Sequence, residues 1–257
     1  MARKIAIANQ KGGVGKTTTA VNLAASLAVA EKRVLLVDFD PQGNATSGLG
    51  VEKNGSGSVY HALIGQEETG GLLKSTELRY LKVLPSSIDL IGAELELVDA
   101  PEREFKLKGC LDKIERHFDY IIIDCPPSLS LLTVNALVAA DSVLVPLQCE
   151  YYALEGISQI MRTIDLIQEK LNPALEIEGV VLTMFDARNN LTHQVADEVR
   201  AHFKDKAFKT IIPRNVRLSE SPSFGKPALL YDIQSKGAIS YLQLAKEVML
   251  GAHGGVV

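Results

Sequence analysis

The stretch that decides the fold is residues 4–18, which read Lys4-Ile5-Ala6-Ile7-Ala8-Asn9-Gln10-Lys11-Gly12-Gly13-Val14-Gly15-Lys16-Thr17-Thr18. It begins with an apolar run typical of a buried parallel strand, and the residues that follow it, Thr19–Leu27, favour a helix. A glycine-rich loop in this context turns backbone N–H groups toward one anion, and the helix N-terminus adds its positive end. The stretch therefore predicts a loop that binds the phosphates of a nucleotide. A chance glycine-rich turn before a helix is the alternative.

The side chains of this loop have different predicted roles. Lys16 can reach the β- and γ-phosphates, and the Thr17 hydroxyl can coordinate Mg²⁺. The common form of the loop has a glycine at position 10, where this chain has Gln10, and this loop carries a second lysine, Lys11, in the turn itself. The predicted nucleotide contacts are Lys11, Gly12, Gly13, Val14, Gly15, Lys16, Thr17 and Thr18. The loop alone leaves the task of Lys11 open.

The composition is that of an ordinary globular protein. The 257 residues are 46% hydrophobic and 23% charged, and the net charge of −4 does not by itself indicate a nucleic-acid binder. No apolar run approaches the ~20 residues that span a bilayer, and no signal peptide precedes the first strand, so we expect a cytoplasmic protein without a membrane partner. Three separated cysteines form no disulfide or zinc pattern. We predict one domain over residues 1–250 and a flexible tail over residues 251–257.

Strand and helix patterns alternate along almost the whole chain. This alternation predicts an α/β fold, a single domain with a mostly parallel twisted sheet flanked by helices on both faces. The predicted strands are Lys4–Ala8, Val34–Asp38, Leu81–Leu84, Tyr120–Asp124, Ser142–Pro146, Ile177–Thr183 and Lys209–Ile212. The predicted helices are Lys16–Ala30, Ser58–Ile64, Asp89–Val98, Pro101–His117, Leu131–Ala139, Leu154–Leu171, Leu191–Phe203 and Ala238–Leu250.

Two carboxylates follow the second predicted strand, in the sequence Val37-Asp38-Phe39-Asp40-Pro41. Ligands of open α/β sheets bind at the carboxyl ends of strands, and period-two alternation places Asp38 and Asp40 on the same side. One carboxylate near the γ-phosphate can orient the attacking water, while the other holds Mg²⁺ through water. A polar turn before proline is the alternative.

A third carboxylate, Asp124, ends the apolar strand Tyr120–Asp124 and is followed by Cys125-Pro126-Pro127-Ser128. An apolar strand that ends in aspartate is the expected companion of a phosphate loop, with Asp124 held near Mg²⁺. The two prolines remove backbone donors and stiffen the turn, which suits a loop that responds to the γ-phosphate.

The identity of the nucleotide base is predicted from a motif that the chain lacks. Guanine-specific proteins with this loop commonly read the base with an Asn/Thr-Lys-x-Asp motif after a late strand, and the corresponding place here reads Thr183-Met184-Phe185-Asp186, without the lysine. The turn after the last strand supplies Pro213 and Asn215, which can pack around adenine. ATP, with Mg²⁺, is therefore the expected nucleotide.

Basic residues concentrate late in the chain. Residues 186–236 contain nine Lys or Arg against six Asp or Glu, in a chain that is acidic as a whole. Arg188, Arg217 and Lys226 fall in predicted loops and are candidates for contacts to DNA phosphates, which are independent of base sequence and sensitive to salt. A solvated charged face is the alternative.

Together these motifs resemble the ParA/Soj family of DNA-partitioning ATPases within the wider MinD/ParA group. The resemblance covers nearly the whole chain, and the Lys11 loop alone would identify only the wider group. The segments that carry it are Lys11–Thr18, Val37–Thr46, Ile123–Ser128, Gln148–Gly156 and Ile212–Glu220.

The resemblance implies a function. In this family two ATP-bound subunits sandwich their nucleotides, and Lys11 would be the signature lysine that reaches the phosphates of the opposite subunit. Such homodimers bind DNA non-specifically, which associates them with the nucleoid, until a ParB-type partner stimulates hydrolysis. The candidate catalytic residues are Lys11, Lys16 and Asp40, and the candidate metal residues are Thr17, Asp40 and Asp124. Arg188 and Arg217 would lie on the DNA-binding face.

Two other functions share the loop. A MinD-like ATPase that cycles on membranes would need a basic amphipathic C-terminal helix, but Ala238–Leu250 carries Lys246 as its one cation and is predicted to face the core. An iron–sulfur reductase of the nitrogenase iron-protein type would need cysteines from two subunits around one cluster. Cys125, beside the proline pair, lacks an evident second ligand.

Overall fold

The computed structural model of the protein describes residues 1–53, 57–150 and 153–251, with residues 153–156 described by their backbone alone. Over these ranges it forms an eight-stranded sheet covered by helices on both faces, which confirms the predicted fold class. All but the first residue of the predicted tail lies outside the described residues. The strands are β1 (Arg3–Ile7), β2 (Val34–Asp38), β3 (Lys74–Ser75), β4 (Leu81–Leu84), β5 (Tyr120–Asp124), β6 (Ser142–Gln148), β7 (Glu176–Phe185) and β8 (Ala207–Pro213).

The strand order across the sheet is β3-β4-β2-β5-β1-β6-β7-β8. All neighbours pair in parallel except β3, a two-residue edge strand antiparallel to β4. The phosphate loop leaves β1 near the middle of the sheet, with β5 on one side of β1 and β6 on the other. Because parallel strands end at one edge, Asp38 and Asp124 come into register at the ends of β2 and β5.

The helices fill the connections between strands. They are α1 (Lys16–Val29), α2 (Asn44–Gly48), α3 (Val59–Leu63), α4 (Leu90–Glu96), α5 (Lys106–Asp112), α6 (Leu131–Ala139), α7 (Ala153–Lys170), α8 (Asn190–Phe203), α9 (Val216–Glu220), α10 (Ala228–Tyr231) and α11 (Lys236–Leu250). Short 3₁₀ turns cover Thr69–Leu72, Arg103–Phe105, Glu115–His117, Lys204–Lys206 and Ser221–Phe224.

Two apolar clusters hold the helices against the sheet, and the central strands contribute alternate side chains to the two clusters. Leu35 and Val37 of β2 join the cluster that packs α3 to α8, whereas Val34 and Leu36 join the one that packs α1 and α11. Both faces of the central strands are therefore buried, which explains their continuous Val/Ile/Leu runs. The isoleucines of α7 lie in the first cluster, as their helical spacing predicted.

One predicted helix is wrong as a single element. The segment Pro101–His117 contains the 3₁₀ turn Arg103–Phe105, then α5, then a second 3₁₀ turn. Glu102 has a φ of 51°, a left-handed conformation that a continuous helix does not contain. The side chain of Asn135 accepts a hydrogen bond from the Leu107 N–H (3.1 Å) and donates one to the Arg103 carbonyl (2.8 Å). Tertiary hydrogen bonds thus replace helical ones at this turn.

Several short elements were not predicted, namely β3, α2, α9 and α10. Each is five residues or fewer, too short to show a hydrophobic period. The last helix packs against the core as predicted, but its buried side coincides only in part with the apolar stripe Ile239, Leu242, Ala245 and Val248 from which it was predicted. Ala238, Tyr241, Leu244 and Val248 are buried, whereas Ile239 is 44% exposed.

Candidate nucleotide site

The phosphate loop connects β1 to α1 and depends on glycine at two positions. Gly13 and Gly15 have φ angles of 76° and 88°, in the left-handed region that other residues rarely adopt. The Gly15 carbonyl accepts the first hydrogen bond of α1, from the Thr19 N–H at 2.9 Å. The loop therefore ends at a helix N-terminus, the arrangement that favours an anion.

Two polar side chains hold the loop from its sides. Asn9 donates from Nδ2 to the Pro146 carbonyl (2.8 Å) and accepts from the Lys11 N–H (3.0 Å). Thr183, at the end of β7, donates from its hydroxyl to the Val14 carbonyl (2.8 Å). Both residues are buried, so these bonds are shielded from water. No local pattern predicts these hydrogen bonds, because each joins the loop to a strand more than 130 residues away.

The two lysines of the loop occupy different environments. Lys16 is only 7% exposed, and its Nζ donates to the Lys11 carbonyl across the loop at 2.9 Å. Burial lowers the pKa of Lys16, and the nearby Asp124 carboxylate acts in the opposite direction. The Lys11 side chain is 37% exposed and forms an ion pair with Glu150, which follows β6. Lys16 therefore forms its hydrogen bond within its own loop, whereas the ammonium of Lys11 lies nearer the surface.

Asp38 and Asp124 are both fully buried, but only one of them is hydrogen-bonded. Asp38 Oδ2 accepts from the Thr46 N–H (2.7 Å) and from the Thr46 hydroxyl (2.6 Å). Among the described residues, neither carboxylate oxygen of Asp124 has a hydrogen-bond partner. Burial raises the pKa of Asp38 to about 6. Burial raises the pKa of Asp124 well above its usual range, and the charge of Asp38 adds to the effect.

Asp40 lies two residues beyond Asp38 and is 8% exposed. Its Oδ1 accepts a hydrogen bond from the Gln42 N–H at 2.9 Å, which shapes the turn after β2. The charge of Asp40 acts on both Lys16 and Asp124, so the carboxylate belongs to the same site. Asp38, at the end of β2, is hydrogen-bonded to Thr46, so Asp40 is the carboxylate with more freedom to contact a ligand.

The unpartnered carboxylate of Asp124 fits a magnesium site. A buried carboxylate with no donor is costly unless a cation compensates it. Thr17 and Lys16 lie near enough to lower the pKa of Asp124, which brings together the predicted metal residues Thr17 and Asp124. Thr17, Asp40 and Asp124 are the side chains that would hold Mg²⁺, directly or through water. A bound Mg²⁺ would supply positive charge that offsets the charge of the phosphates.

A cavity of about 480 Å³ opens beside the phosphate loop. The predicted adenine contacts Pro213 and Asn215 line it, together with Gly15 and Thr18 of the loop. Asn215 also caps α9, because its Oδ1 accepts from the Arg217 N–H at 3.0 Å. This leaves the side-chain NH₂ group of Asn215 as the donor available to a base. The size and lining of the cavity suit a nucleoside next to the phosphate loop.

The structure adds two cavity residues that the sequence analysis missed. Tyr241 is fully buried in α11, and its hydroxyl lies 3.0 Å from the Thr19 hydroxyl of α1. Met184 has a φ of 52°, a left-handed conformation that costs a non-glycine residue about 1–2 kcal/mol. Its position after Thr183 was visible in the sequence, but its backbone conformation was not.

The three predicted DNA contacts all form ion pairs. Arg188 is 89% exposed and pairs with Asp186 at 2.8 Å, and this pair lowers the pKa of Asp186. The other pairs are Arg217 with Glu220 (2.9 Å), Arg217 with Asp232 (3.3 Å) and Lys226 with Glu77 (3.3 Å). These carboxylates reduce the positive potential of each candidate.

The three residues do not form one patch. Arg188 follows β7, whereas the partner of Lys226, Glu77, precedes β4, and the two strands lie five positions apart in the sheet. At about 4.8 Å per strand this separates them by roughly 24 Å. Arg188 and Arg217 flank the same end of the molecule, because they follow the neighbouring strands β7 and β8.

The three cysteines, Cys110, Cys125 and Cys149, are all buried. Burial also raises the pKa of each thiol. A cluster shared by two subunits must lie at a surface, so the position of Cys125 disfavours the iron–sulfur alternative.

Comparisons with known proteins agree with this geometry. A family described as "AAA domain" matches residues 2–177. The chain is 63% identical to the chromosome partitioning protein ParA of Myxococcus xanthus, over 96% of this chain and 88% of that protein. It is 60% identical to the sporulation initiation inhibitor protein Soj of Bacillus subtilis, over 96% of this chain and 98% of that protein. The chain belongs to the ParA/Soj family of partitioning ATPases.

Solved structures place nucleotide and magnesium on the same fold. Cobyrinic acid a,c-diamide synthase from Mycobacterium smegmatis, with bound ADP and magnesium, has a TM-score of 0.87 and 39% identity, over 100% of this chain and 97% of that one. The septum site-determining protein MinD from Pyrococcus horikoshii, complexed with Mg-ADP, has a TM-score of 0.81 and 25% identity, over 100% of both chains. A second structure of the same synthase, also 39% identical, holds an ATP analogue and magnesium. The predicted cofactors, ATP and Mg²⁺, are therefore confirmed for this family of ATPases. Within the described residues, no helix has the length and apolar character that crossing a bilayer requires.

Proposed function

We propose that this chain is a DNA-segregation ATPase in which ATP joins two subunits. In this proposal each subunit binds ATP and Mg²⁺ in the site at the ends of β1, β2 and β5, and Lys11 contacts the phosphates held by the other subunit. Hydrolysis separates the subunits. The proposal agrees with the partitioning proteins that share 60% or more of this sequence.

The contrast between the two lysines carries the proposal. Lys16 is buried and bonded within its own loop, so the loop already has its lysine for its own phosphates. Lys11 emerges from the same loop, yet its ammonium is partly exposed and paired with Glu150. A charge at the mouth of the site is well placed to meet a nucleotide brought by a second subunit. There it would stabilise the charge that develops on the phosphates during transfer.

Asp40 is the proposed catalytic carboxylate. It belongs to the cluster with Lys16 and Asp124 and is less constrained than Asp38. In the proposed reaction it orients the attacking water near the γ-phosphate, while Lys16 stabilises the phosphate charge. Asp40→Ala should therefore leave ATP binding intact and stop hydrolysis.

Non-specific DNA binding is proposed for the dimer. Arg188 and Arg217 lie at one end of the molecule, and the pairing of two subunits would double the number of such groups. Their carboxylate partners are exposed or half-buried, so phosphate groups can compete for the arginines. Lys226 is a weaker candidate, because it lies near the opposite edge of the sheet. A ParB-type partner would then release the ATPase from DNA by stimulating hydrolysis.

Gel filtration with ATP, with ADP and without nucleotide tests the dimer. We expect a dimer with ATP alone, and a monomer for Lys11→Ala under all three conditions although it still binds ATP. Lys246→Ala, which removes an exposed lysine of α11, is the matched control and should dimerise as the wild type does. An ATP-bound dimer of Lys11→Ala at wild-type affinity would refute the role of Lys11.

DNA binding is tested by titrating labelled duplex DNA at several salt concentrations. Arg188→Glu and Arg217→Glu should weaken binding by about tenfold each and lower the salt slope by about one per lost phosphate contact. Arg116→Glu, at an exposed arginine near the amino end of β5, is the control. Affinity that does not change with salt would exclude the electrostatic mode.

The same preparation decides between DNA and membrane as the surface on which the ATPase cycles. MinD proteins share the fold at about a quarter sequence identity. Pelleting with anionic vesicles in the presence of ATP should leave this chain in solution. Sedimentation with the vesicles would favour the MinD-like alternative.

A further inference from the structure

Helix α4 and its flanking turns expose an apolar stripe. Four side chains at helical spacing face solvent, and their exposed fractions are Ile88 59%, Ile91 51%, Leu95 76% and Val98 49%. The opposite side of the segment, Leu90, Ala93 and Leu97, is buried in the core. Exposed apolar residues are common singly, but four in one stripe indicate a surface that another molecule covers.

Acidic residues dominate the segment that carries this stripe. Residues 86–104 carry six carboxylates and one basic residue, Arg103. The carboxylates are Asp89, Glu94, Glu96, Asp99, Glu102 and Glu104. We name the stripe and these carboxylates together the α4 surface.

The charge of the α4 surface selects among possible occupants. A second copy related by two-fold symmetry would bring the same carboxylates against themselves. DNA and anionic membranes are repelled for the same reason. An occupant with leucine-like side chains on one side and lysine or arginine beside them satisfies both the stripe and its rim.

Hydrogen bonds link the segment that carries the α4 surface to the elements of the nucleotide site. Ser86, two residues before the stripe, donates from its N–H to the Thr46 hydroxyl oxygen (3.1 Å), and that hydroxyl donates to Asp38 (2.6 Å). Farther along, Glu94 Oε1 accepts from the Leu132 N–H (3.4 Å) at the start of α6. The loop before α6 leads back to Asp124 and carries another exposed apolar side chain, Leu129. The end of β2 is thus linked to this segment through Thr46, and the segment also bonds α6, which follows the end of β5.

We infer that the α4 surface is the docking site for a cationic amphipathic segment of a partner protein. Docking there would affect the positions of the ends of β2 and β5. It would therefore affect the carboxylates beside the phosphate loop. The docking itself stands independently, while its effect on hydrolysis rests on the proposed ATPase function.

A designed peptide is the probe. It contains leucine at helical spacing and lysine elsewhere, is about 18 residues or five helical turns long, and carries fluorescein. A matched peptide replaces each lysine with glutamate. Fluorescence anisotropy with the full chain should show binding of the lysine peptide and at least a tenfold weaker interaction with the glutamate peptide.

Variants locate the binding. Ile91→Ser/Leu95→Ser and Glu96→Lys/Asp99→Lys should each weaken binding about tenfold or more, since a few anchors dominate such contacts. The controls change equally exposed residues elsewhere, as Leu166→Ser/Ile239→Ser and Asp165→Lys/Glu169→Lys, and should bind as the wild type does. Thermal unfolding of every variant confirms that it folds.

The outcomes separate the inference from the proposed function. Equal peptide binding by wild type and both α4 variants would overturn the docking site. A change in oligomeric state of Ile91→Ser/Leu95→Ser without a change in peptide binding would identify a self-interface and overturn it too. Stimulation of ATP hydrolysis by the peptide in wild type but not in that variant would establish the coupling, and binding without stimulation would overturn the coupling. Site-specific peptide binding by a chain that never dimerises with ATP would leave the docking site standing while the proposed function fails.

Discussion

The ends of strands β2 and β5 carry the same residue at the same level of the sheet, with opposite surroundings. Asp38 and Asp124 are in register and both are fully buried. Asp38 receives two hydrogen bonds from Thr46, whereas Asp124 receives none from the described residues. Because an uncompensated buried carboxylate costs free energy, the end of β5 is the part of the site arranged for a ligand, and the end of β2 is arranged for the fold.

The largest effect on this comparison is expected from Lys16→Ala. Lys16 is the buried lysine beside Asp124, and in the complex it would bond the phosphates. The loss of charge-assisted bonds worth about 3–4 kcal/mol lowers nucleotide affinity on the order of 10²- to 10³-fold. Calorimetric titration measures the affinity for MgATP. Lys11→Ala is the control and should bind within a few-fold of the wild-type affinity. Wild-type affinity in Lys16→Ala would mean that the ligand does not bind at the end of β5.

The next largest effect is a pH dependence that comes from the β2 side. The Asp38 carboxyl has a pKa of about 6 in the folded protein, because of burial, against about 3.9 in an unfolded chain. Between these values the folded protein keeps a proton that the unfolded chain has lost, so the free energy of unfolding falls as the pH rises. This contribution is complete below about pH 3.9 and lost above about pH 6, and it amounts to about 3 kcal/mol.

Urea unfolding without nucleotide, from pH 4 to pH 7, tests this dependence. Asp38→Asn lacks the titrating group, so the difference between wild type and variant isolates it from the other carboxylates. We expect the wild type to lose free energy of unfolding relative to Asp38→Asn as the pH rises. Parallel stability curves would mean that Asp38 has an ordinary pKa.

These roles show how far the sequence alone can go. The phosphate loop, the strand ends with Asp38, Asp40 and Asp124, and the α/β architecture follow from local patterns and were predicted. The distinction between Asp38 and Asp124 was not, because it depends on where α2 places Thr46, and α2 is too short to predict. The ion pair of Arg217 with Asp232 also depends on the folded chain, whereas the pairs Arg188–Asp186 and Arg217–Glu220 are local in sequence.

Other features could not be predicted from the sequence for related reasons. The bonds from Asn9 and Thr183 to the ends of the phosphate loop join residues far apart in sequence. The segment Asp89–Val98 was predicted as a helix, but helical spacing does not tell which of its apolar residues are buried. Glu102 shows the opposite limit, since a left-handed residue interrupts a pattern that otherwise favours a continuous helix.

A third test changes Asp124 itself. Asp124→Asn removes a buried carboxylate that has no donor, so the nucleotide-free protein should become more stable by about 1–3 kcal/mol. The same change removes a proposed Mg²⁺ ligand, so the gain in ATP affinity on adding Mg²⁺ should disappear. Thermal unfolding in EDTA and titration with and without Mg²⁺ measure the two effects. A less stable variant that keeps its Mg²⁺ dependence would reverse the roles assigned to the two strand ends.

The smallest effect comes from a matched pair of threonines, one beside each carboxylate. Thr46→Val keeps the shape of the side chain but removes the hydroxyl that donates to Asp38 and accepts from the Ser86 N–H. The loss of one charge-assisted bond should lower the free energy of unfolding by about 1.5 kcal/mol without nucleotide, the lower end of the usual range, because the Thr46 N–H still bonds Asp38. Thr17→Val should leave the stability of the free protein within about 0.5 kcal/mol of wild type and weaken binding of MgATP, since Thr17 is placed to hold the metal.

Chemical unfolding and calorimetric titration of the two variants give four numbers. The comparison of the strand ends holds only if stability changes in Thr46→Val and metal-dependent binding changes in Thr17→Val. Equal losses of stability in both would mean that Asp124, like Asp38, is supported by its neighbouring threonine as part of the fold.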